Sequence, residues 1–564
     1  MENKKWILKE IDELEVKRLM KNHSISHLAA VILQGRKGLL SEEANIFEGV
    51  LYDPFLLKNM QKAVDRINRA LENNEKITIY GDFDADGVTA TAVLCLYLRE
   101  RGANVDYYIP DRIDEGYGVN IAALYAIKEK GTTLIITVDT GITAVEDIKH
   151  AENLGIDIII TDHHEPKTVV PDALAVIDPK QEDCKYPFKE LAGVGVVFKL
   201  LQAFEKDNAE IIDKYMPLVC LGTIADVVPL IDENRELVKM GLERFEGAEN
   251  LKRMNKGIKA LLAATNPNNK KVTATMIGFV IAPRINAAGR LGSAKKSAEM
   301  FLCDDEKQAE FIAHQLLEEN RHRQEKEHEI FTEAVRIIEK KRLHEQDIIV
   351  VSNKGWHQGV IGIVSSKITE RYYKPSILIS LDEQGNGRGS GRSISSFNLF
   401  EALSGCHEYL EKFGGHSLAA GLSIRADNID VFCSQLNTYA KSHMKTEDFI
   451  PKLFIDCKLH PKDISLRSVE EMQSLEPFGM GNPTPVFMVQ NAKITLATTM
   501  TEGRHFRVQL SFGTASVDAV GFSMGHLAEN FKLGDVVNVA GTLNINEYNG
   551  NRKLQILLKD IKHA

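Results

Sequence analysis

Seven side chains have the types and spacing to hold divalent cations. Asp82, Asp84 and Asp86 alternate in Gly81-Asp82-Phe83-Asp84-Ala85-Asp86-Gly87, directly after the β-branched run Ile77-Thr78-Ile79-Tyr80. Asp139 follows Leu134-Ile135-Ile136-Thr137-Val138, and His163-His164 follow Ile158-Ile159-Ile160-Thr161-Asp162. Asp226 follows Cys220–Ala225 in a helical or loop setting. Carboxylates crowded at a strand end repel one another unless a cation neutralises them. Aspartate oxygens with one or two imidazoles suit Mn2+ or Mg2+, the nitrogen donor favouring Mn2+. Four or more aspartates exceed the needs of one ion. Two cations about 3.5–4 Å apart, sharing a carboxylate, are the usual arrangement for phosphoester hydrolysis. The first run does not fit a calcium loop: the sixth position after Gly87 is Val93, and a strand precedes the run. Taken singly, each group has a plainer reading: an acidic surface turn, a helix N-cap at Asp139, a polar loop at the histidines.

What makes these groups one site is the fold that the flanking pattern predicts. From about Lys76 to Val228 strand and helix patterns alternate, the signature of a parallel sheet with crossover helices. The expected strands are Ile77–Tyr80, Val105–Ile109, Leu134–Val138, Ile156–Ile160 and Leu174–Ile177. Parallel strands end at one edge, where such sheets bind ligands, so the acids and histidines converge despite their separation in sequence. Nearby, Arg112 has the chemistry to pair with a phosphate and Tyr117 to stack on a base. Ala192-Gly193-Val194-Gly195-Val196 reads either as phosphate binding or as close helix packing. Arg284, Asn286 and Arg290 interrupt a small, apolar run, either as phosphate contacts or as a buried ion pair.

The 564 residues exceed one core and imply three or four domains. Residues 1–70 read as a helical region packed on a catalytic domain at 71–300. A charged helical connector follows at 301–345, able to project Arg321, Arg323 or Gln324 into a cleft. A second α/β domain spans 346–446 and a small barrel 450–564. The barrel is expected from short strands with turns between them, including a hairpin at Tyr548-Asn549-Gly550. On it, Arg504, Arg507, Arg552 and Lys553 accompany Phe506, Phe522 and Tyr548, a mixture that suits single-strand binding, although Phe522 reads as core. In the second domain, Gly387–Ser393 and Phe413–Gly421 are glycine-rich around a cation. Ser390, Arg392, Gly415 and His416 are the candidates there for holding a phosphate or sugar on exposed backbone N–H groups. The net charge of −10 argues against a wholly basic nucleic-acid coat. Seven scattered cysteines without a CxxC pair, no membrane-length apolar run and no secretory h-region lead to the expectation of a cytoplasmic chain with reduced thiols.

The motifs GDFDADG, TVDTG, TDHH and the later Asp226 resemble those of the DHH phosphoesterase superfamily, and in length and order its RecJ branch. GGHxxAAG resembles the DHHA1 domain that accompanies it. Pro477-Phe478-Gly479-Met480-Gly481-Asn482-Pro483 resembles the lead-in to a RecJ OB domain. The fold implied is a DHH parallel α/β domain, a connector helix, a DHHA1 α/β domain and a C-terminal OB-fold β-barrel. By resemblance, Asp82, Asp84 and Asp139 hold one metal and Asp86, Asp139, His163 and Asp226 the other, with His164 beside the scissile phosphate. Three aspartates, with Tyr80 where small-molecule phosphatases of the superfamily place a His, favour the nuclease branch. The implied activity is a single-stranded-DNA-specific exonuclease running 5′ to 3′, releasing 5′-mononucleotides in repair and recombination. A single-strand-binding protein and a helicase are implied as partners; a monomer is the default. The alternatives are a phosphodiesterase of short oligonucleotides or cyclic dinucleotides, and a non-catalytic strand-binding scaffold.

Overall fold

The computed structural model describes residues 4–36, 49–205, 208–548 and 551–564. The chain starts on the barrel, not on the catalytic domain. Strand β1 (Lys5–Leu8) pairs in parallel with a strand at Lys452–Ile455. Helices α1 (Glu13–His23) and α2 (His27–Gln34) bury Val16, Leu19 and Leu28 in one core with barrel residues Phe487, Val508 and Ile556. The expectation that residues 1–70 pack on the catalytic domain holds for α3 (Met60–Glu72), whose Met60, Ala63 and Ile67 join that domain's core. It fails for residues 4–36. The alternation in Lys5–Leu8 is too short to read as a strand, and its partner lies some 450 positions away.

The parallel sheet comprises β2 (Lys76–Gly81), β3 (Asn104–Tyr108), β4 (Leu134–Val138), β5 (Asp157–Thr161) and β6 (Ala175–Ile177). Their spatial order is β3-β2-β4-β5-β6, every neighbouring pair parallel. The central strands are buried on both faces and so read as continuous apolar runs. Helices α4 (Ala85–Glu100), α5 (Ile121–Glu129) and α6 (Val145–Asn153) make the crossovers. Helix α4 is apolar almost all round because it lies inside the domain, between the sheet and helices α7 (Gly193–Glu205) and α8 (Ala209–Ala225). Helix α9 (Asp232–Glu243) packs on α8.

A 35-residue helix, Glu306–Lys340, leads out of this domain. It is not simply solvated: Ala309, Ile312, Ala313, Leu316, Asn320, Arg323, Glu327, Ile330, Ala334 and Ile338 form one buried stripe. The next sheet has the order β10-β11-β9-β8-β7. It is built from β7 (Ile349–Lys354), β8 (Ser376–Leu381), β9 (Asn386–Arg392), β10 (Lys412–Gly415) and β11 (Ala419–Arg425). The glycines of Gly387–Gly391 are not a loop that exposes its backbone. They lie on β9, inside the sheet, where β8 and β11 pair with both sides of the strand.

After β12 (Lys452–Ile455) and the short β13 (Cys457–Lys458), five strands close a barrel. These are β14 (Phe487–Met500), β15 (His505–Phe512), β16 (Ala515–Gly521), β17 (Val536–Tyr548) and β18 (Asn551–His563), closed by pairing of β14 with β17. The two strands expected at Pro485–Val489 and Ala492–Leu496 are one strand with an irregularity between Val489 and Ala492. Asn549 and Gly550 of the expected hairpin lie outside the described residues. Among the described residues no helix is long and apolar enough to cross a membrane.

Candidate metal centre and substrate cleft

The carboxyl edge of the parallel sheet gathers the acidic side chains as its topology requires. Asp84 caps α4: its Oδ1 accepts from the N–H groups of Asp86 and Gly87 at 2.9 and 3.0 Å. Asp86 sits under the N-terminus of α7, where Gly193 N–H and Val194 N–H donate to its two oxygens at 2.6 and 2.9 Å. A helix N-terminus with its free N–H groups is a natural seat for a carboxylate. The glycine at 193 also permits close approach, because a Cβ there would stand 2.6 Å from both Cβ and Oδ1 of Asp139. Asp139 itself adopts φ 59°, a left-handed conformation costly to a residue with a Cβ and typical of functional sites.

Three groups of ligand atoms lie within 4.8 Å of one another: Asp82, Asp84 and Asp139; Asp86, His163 and Asp226; and Asp139, His163 and His164. His163 Nε2 is 3.0 Å from Asp139 Oδ1 and 3.6 Å from Asp226 Oδ2. The shorter contact lacks hydrogen-bond geometry, and Asp82 Oδ1, Asp139 Oδ1 and His163 Nε2 are buried without a hydrogen-bond partner among the described residues. Orphaned buried acceptors are expensive, and here they share one space. The donor set of carboxylate oxygens and one neutral imidazole fits Mn2+ or Mg2+.

The electrostatics agree. Burial, then repulsion from Asp84, pushes Asp82 up to about 8. Burial followed by Asp84 pushes Asp226 up to about 7. Asp86 and Asp139 rise well above the usual carboxylate range, from burial first and then their acidic neighbours. Burial and the adjacent His164 lower His163 to about 3, which keeps it in the neutral, ligating form. These acids need added positive charge to ionise together.

His164 has the opposite character. Burial opposes its charge, but the 2.8 Å hydrogen bond from Nδ1 to Asp162 and the field of Asp162, Asp226 and Asp82 raise it to about 9. The fully buried Asp162 also accepts from the N–H groups of Ile142 at 2.9 Å and His163 at 2.7 Å, which locks it as the orienter of His164. Sequence reasoning passed over Asp162; its place directly before the histidine pair was the available signal.

Beside the metal centre a cavity of about 600 Å³ is lined by Arg112, Arg290, Arg388, Ser390, Arg392 and Lys412, together with small residues of the second sheet. The Arg112 guanidinium lies 4.0 Å from the centre of the Phe83 ring, within the acidic run. Burial and then the charges of Arg112, Arg323 and Arg392 lower Arg290 to about 10. Arg392 donates to the Gly391 carbonyl at 2.7 Å and to Ser390 Oγ at 3.3 Å, so its charge is left for an anion. Tyr117 is half exposed, edge-on to His164, with its hydroxyl 3.2 Å from Nδ1.

Other expected contacts take different places. Asn286 Oδ1 accepts from Ala85 N–H at 2.8 Å, so Asn286 holds the acidic loop. Arg284 donates to the Val280 carbonyl within a π-helical turn at Ile277–Ile281. Gln324 is on the exposed face of the long helix, while Arg323 is buried against Glu327 at 2.5 Å. Gly415 is the exposed last residue of β10, paired with Ala420 on β11, and His416 opens the exposed turn between the two strands. On the barrel, Phe506 is core and Phe522 is 61% exposed against His505, the reverse of the reading that put Phe522 inside. Arg507 pairs with Asp518 at 2.9 Å and Arg552 with Glu470 at 3.0 Å.

A parallel sheet with an acidic and histidine-bearing carboxyl edge, a mixed second sheet closing a cationic cavity, and a C-terminal barrel define a protein of the DHH phosphoesterase class. Residues 76–223 match the DHH family N-terminal domain, 345–442 the DHHA1 domain and 455–560 the RecJ OB domain. The RecJ single-stranded-DNA-specific exonuclease of Bacillus subtilis is 42% identical over 99% of this chain and 70% of the relative. That of Escherichia coli is 34% identical over 90% of each. RecJ of Thermus thermophilus, solved in complex with Mn2+, superimposes with a TM-score of 0.83 at 29% identity over 99% of this chain and 80% of that one; a structure with Mg2+ gives 0.76 at 28%, over 99% and 78%. The chain belongs to the RecJ family.

Proposed function

We propose that this chain is a single-stranded-DNA-specific exonuclease that hydrolyses phosphodiester bonds with two divalent cations, Mn2+ or Mg2+. Asp82, Asp84 and Asp139 would hold one cation and Asp86, His163 and Asp226 the other, with Asp139 between them. When bound, such cations supply an activated water and neutralise the charge that develops on the phosphate. The rest falls to the chain's own groups. His164, kept protonated by Asp162, offers an N–H to a non-bridging phosphate oxygen. Arg112, Arg290 and Arg392 draw the phosphate backbone into the cavity and fix its register. The acidic loop is held for this task by Asn286 and by the α7 N-terminus.

The observation that carries the reading is the set of orphaned ligand atoms on Asp82, Asp139 and His163, next to a cavity lined by five cationic side chains, Arg112, Arg290, Arg388, Arg392 and Lys412, against two acids, Asp114 and Glu115. Movement from 5′ to 3′, release of 5′-mononucleotides and work with a single-strand-binding protein and a helicase rest on family resemblance; a cytoplasmic setting rests on the scattered cysteines and a monomer is the default, and all belong to the same proposal. The test is digestion of 5′- and 3′-labelled single strands and blunt duplex in Mn2+, with wild type and Asp139→Ala. Mononucleotide released first from the 5′ end of single strands, and none with the variant, is expected. Equal rates on blunt duplex, or unchanged release by Asp139→Ala, would overturn the reading.

A further inference from the structure

The run Pro477–Pro483 takes no part in the chemistry above, yet it is seated against the loop that follows Asp226. Asp226 caps α8, and the chain then turns at Val227, whose φ of 64° is left-handed in a β-branched residue. Such a conformation costs about 1–3 kcal/mol and persists where the surroundings over-determine it. Here they do so from two sides. Leu230 N–H donates to the Met480 carbonyl at 2.7 Å. A Cβ on Gly479 would stand 2.7 Å from Leu230 Cδ1, and one on Gly481, at φ 72°, would stand 3.1 Å from Ile231 Cγ2 and 3.2 Å from Pro229 Cβ.

The run is itself locked. Asn482 is fully buried, and its Nδ2 donates to the carbonyls of Leu475 and Pro477, each at 2.9 Å. Its side-chain oxygen accepts from Arg36. On the other side of the Asp226 loop, the buried Asn234 donates to the carbonyls of Pro229 and Glu190, just upstream of the Gly193 N–H that holds Asp86.

We propose that the glycine-rich run Pro477–Pro483 is a latch that holds the Asp226 loop in the position the metal centre needs, so that the lead-in to the barrel positions a metal ligand instead of gripping the strand. The proposal rests on reading Asp226 as a ligand. Gly479 and Gly481 are then positioning residues: they let the latch touch Leu230, Ile231 and Pro229.

The test uses the full chain with Mn2+ as the probe, titrated calorimetrically, alongside kcat and KM on a dinucleotide and on a long single strand. Gly479→Ala should lower Mn2+ affinity about 10–100-fold, the range seen when supports of metal ligands are lost. It should lower kcat on both substrates and leave KM for the long strand unchanged. Adding Leu230→Ala, which removes the clashing atoms, should restore part of the Mn2+ affinity. Gly481→Ala meets longer contacts but adds the strain of a left-handed φ, and should give a loss of the same sign; if either glycine variant fails to fold, the Gly479→Ala/Leu230→Ala double variant carries the test. Two outcomes overturn the latch: glycine variants that bind Mn2+ like wild type but raise KM for the long strand, and variants that melt earlier with unchanged Mn2+ affinity. Asp226→Asn separates the two layers. If it binds Mn2+ as wild type does, the ligand reading falls and the latch with it; if it loses affinity while both glycine variants keep theirs, the latch alone falls.

Discussion

Replacing Gly193 by Ala tests the metal centre without touching a ligand. The new methyl would lie 2.6 Å from Cβ and Oδ1 of Asp139. Carbon contacts settle near 3.5–4.0 Å, so the two must part by about 1 Å. Asp139 has little room to yield, because its left-handed backbone is already fixed and its N–H donates to the Thr161 carbonyl at 3.0 Å. Retreat of α7 would instead stretch the 2.6 and 2.9 Å bonds that hold Asp86. Either way an acid of one ligand group moves relative to the other. A 1 Å misplacement costs on the order of 100-fold in rate, which corresponds to about 2.7 kcal/mol of barrier at 1.36 kcal/mol per decade. The accompanying loss of stability should be about 1–3 kcal/mol, typical of an overpacked core. The assay is mononucleotide release from a labelled single strand at saturating Mn2+, with far-UV circular dichroism to confirm the fold. A kcat equal to wild type in a folded Gly193→Ala protein would refute the argument, because the approach of α7 to Asp139 would then not matter.

Stripping the metals should make stability depend on pH with a definite sign. Asp82 and Asp226 have folded values raised to about 8 and about 7, so their contribution is fully present below the ordinary carboxylate value and is lost as pH rises through the raised ones. The melting temperature of metal-free protein should fall between about pH 4 and pH 8, and Mn2+ should restore it most at the alkaline end; a flat or rising profile would contradict the crowding of acids. Asp162→Asn keeps an acceptor oxygen but removes the negative charge that helps raise His164, so the alkaline limb of the pH–rate profile should move to lower pH, with kcat down about 10–100-fold. An unmoved limb would show that His164 does not act as a cation. Lys199→Met leaves Glu233, buried at the start of α9 against Tyr186 and Tyr52, without its 2.8 Å partner. Denaturant melts should show a loss of about 3–5 kcal/mol at neutral pH. The loss should shrink toward acid as Glu233, already raised by burial, takes up a proton; a neutral effect would mean that the pair is dispensable.

The convergence of the candidate ligands was legible in the sequence because all of them but Asp226, which ends α8, follow apolar strands whose parallel pairing is dictated by the alternation with helices. Leu134–Val138 is observed as expected, and the other four strands of that sheet fall within a residue of their expected limits. What could not be read is what depends on contacts between distant segments. Nothing near Gly193 announces that its N–H would seat Asp86, since that bond spans 107 positions. Asn286 looked like a substrate contact, but its acceptor is used by Ala85 across 201 positions. The β9 glycines have the composition of a phosphate loop, yet two flanking strands take up their backbone. Phe522 reads as core from its type, but it lies in the turn just past the end of β16, 61% exposed against His505, where strand alternation no longer decides which way a side chain points.

The tryptophan of β1 donates to Asp560 on the last barrel strand at 2.7 Å, across 554 positions. At about 5–20 residues per second, a ribosome needs roughly half a minute to two minutes to bridge that interval. The Lys5–Leu8 segment lacks its strand partner until Lys452–Ile455 is made and its indole acceptor until Asp560 follows, while the parallel-sheet domain is free to form. Assembly in the cell therefore proceeds from the middle outward, and the opening segment is among the last pieces to find its place. A fusion at this end would burden the closing step of maturation and leave the early ones untouched.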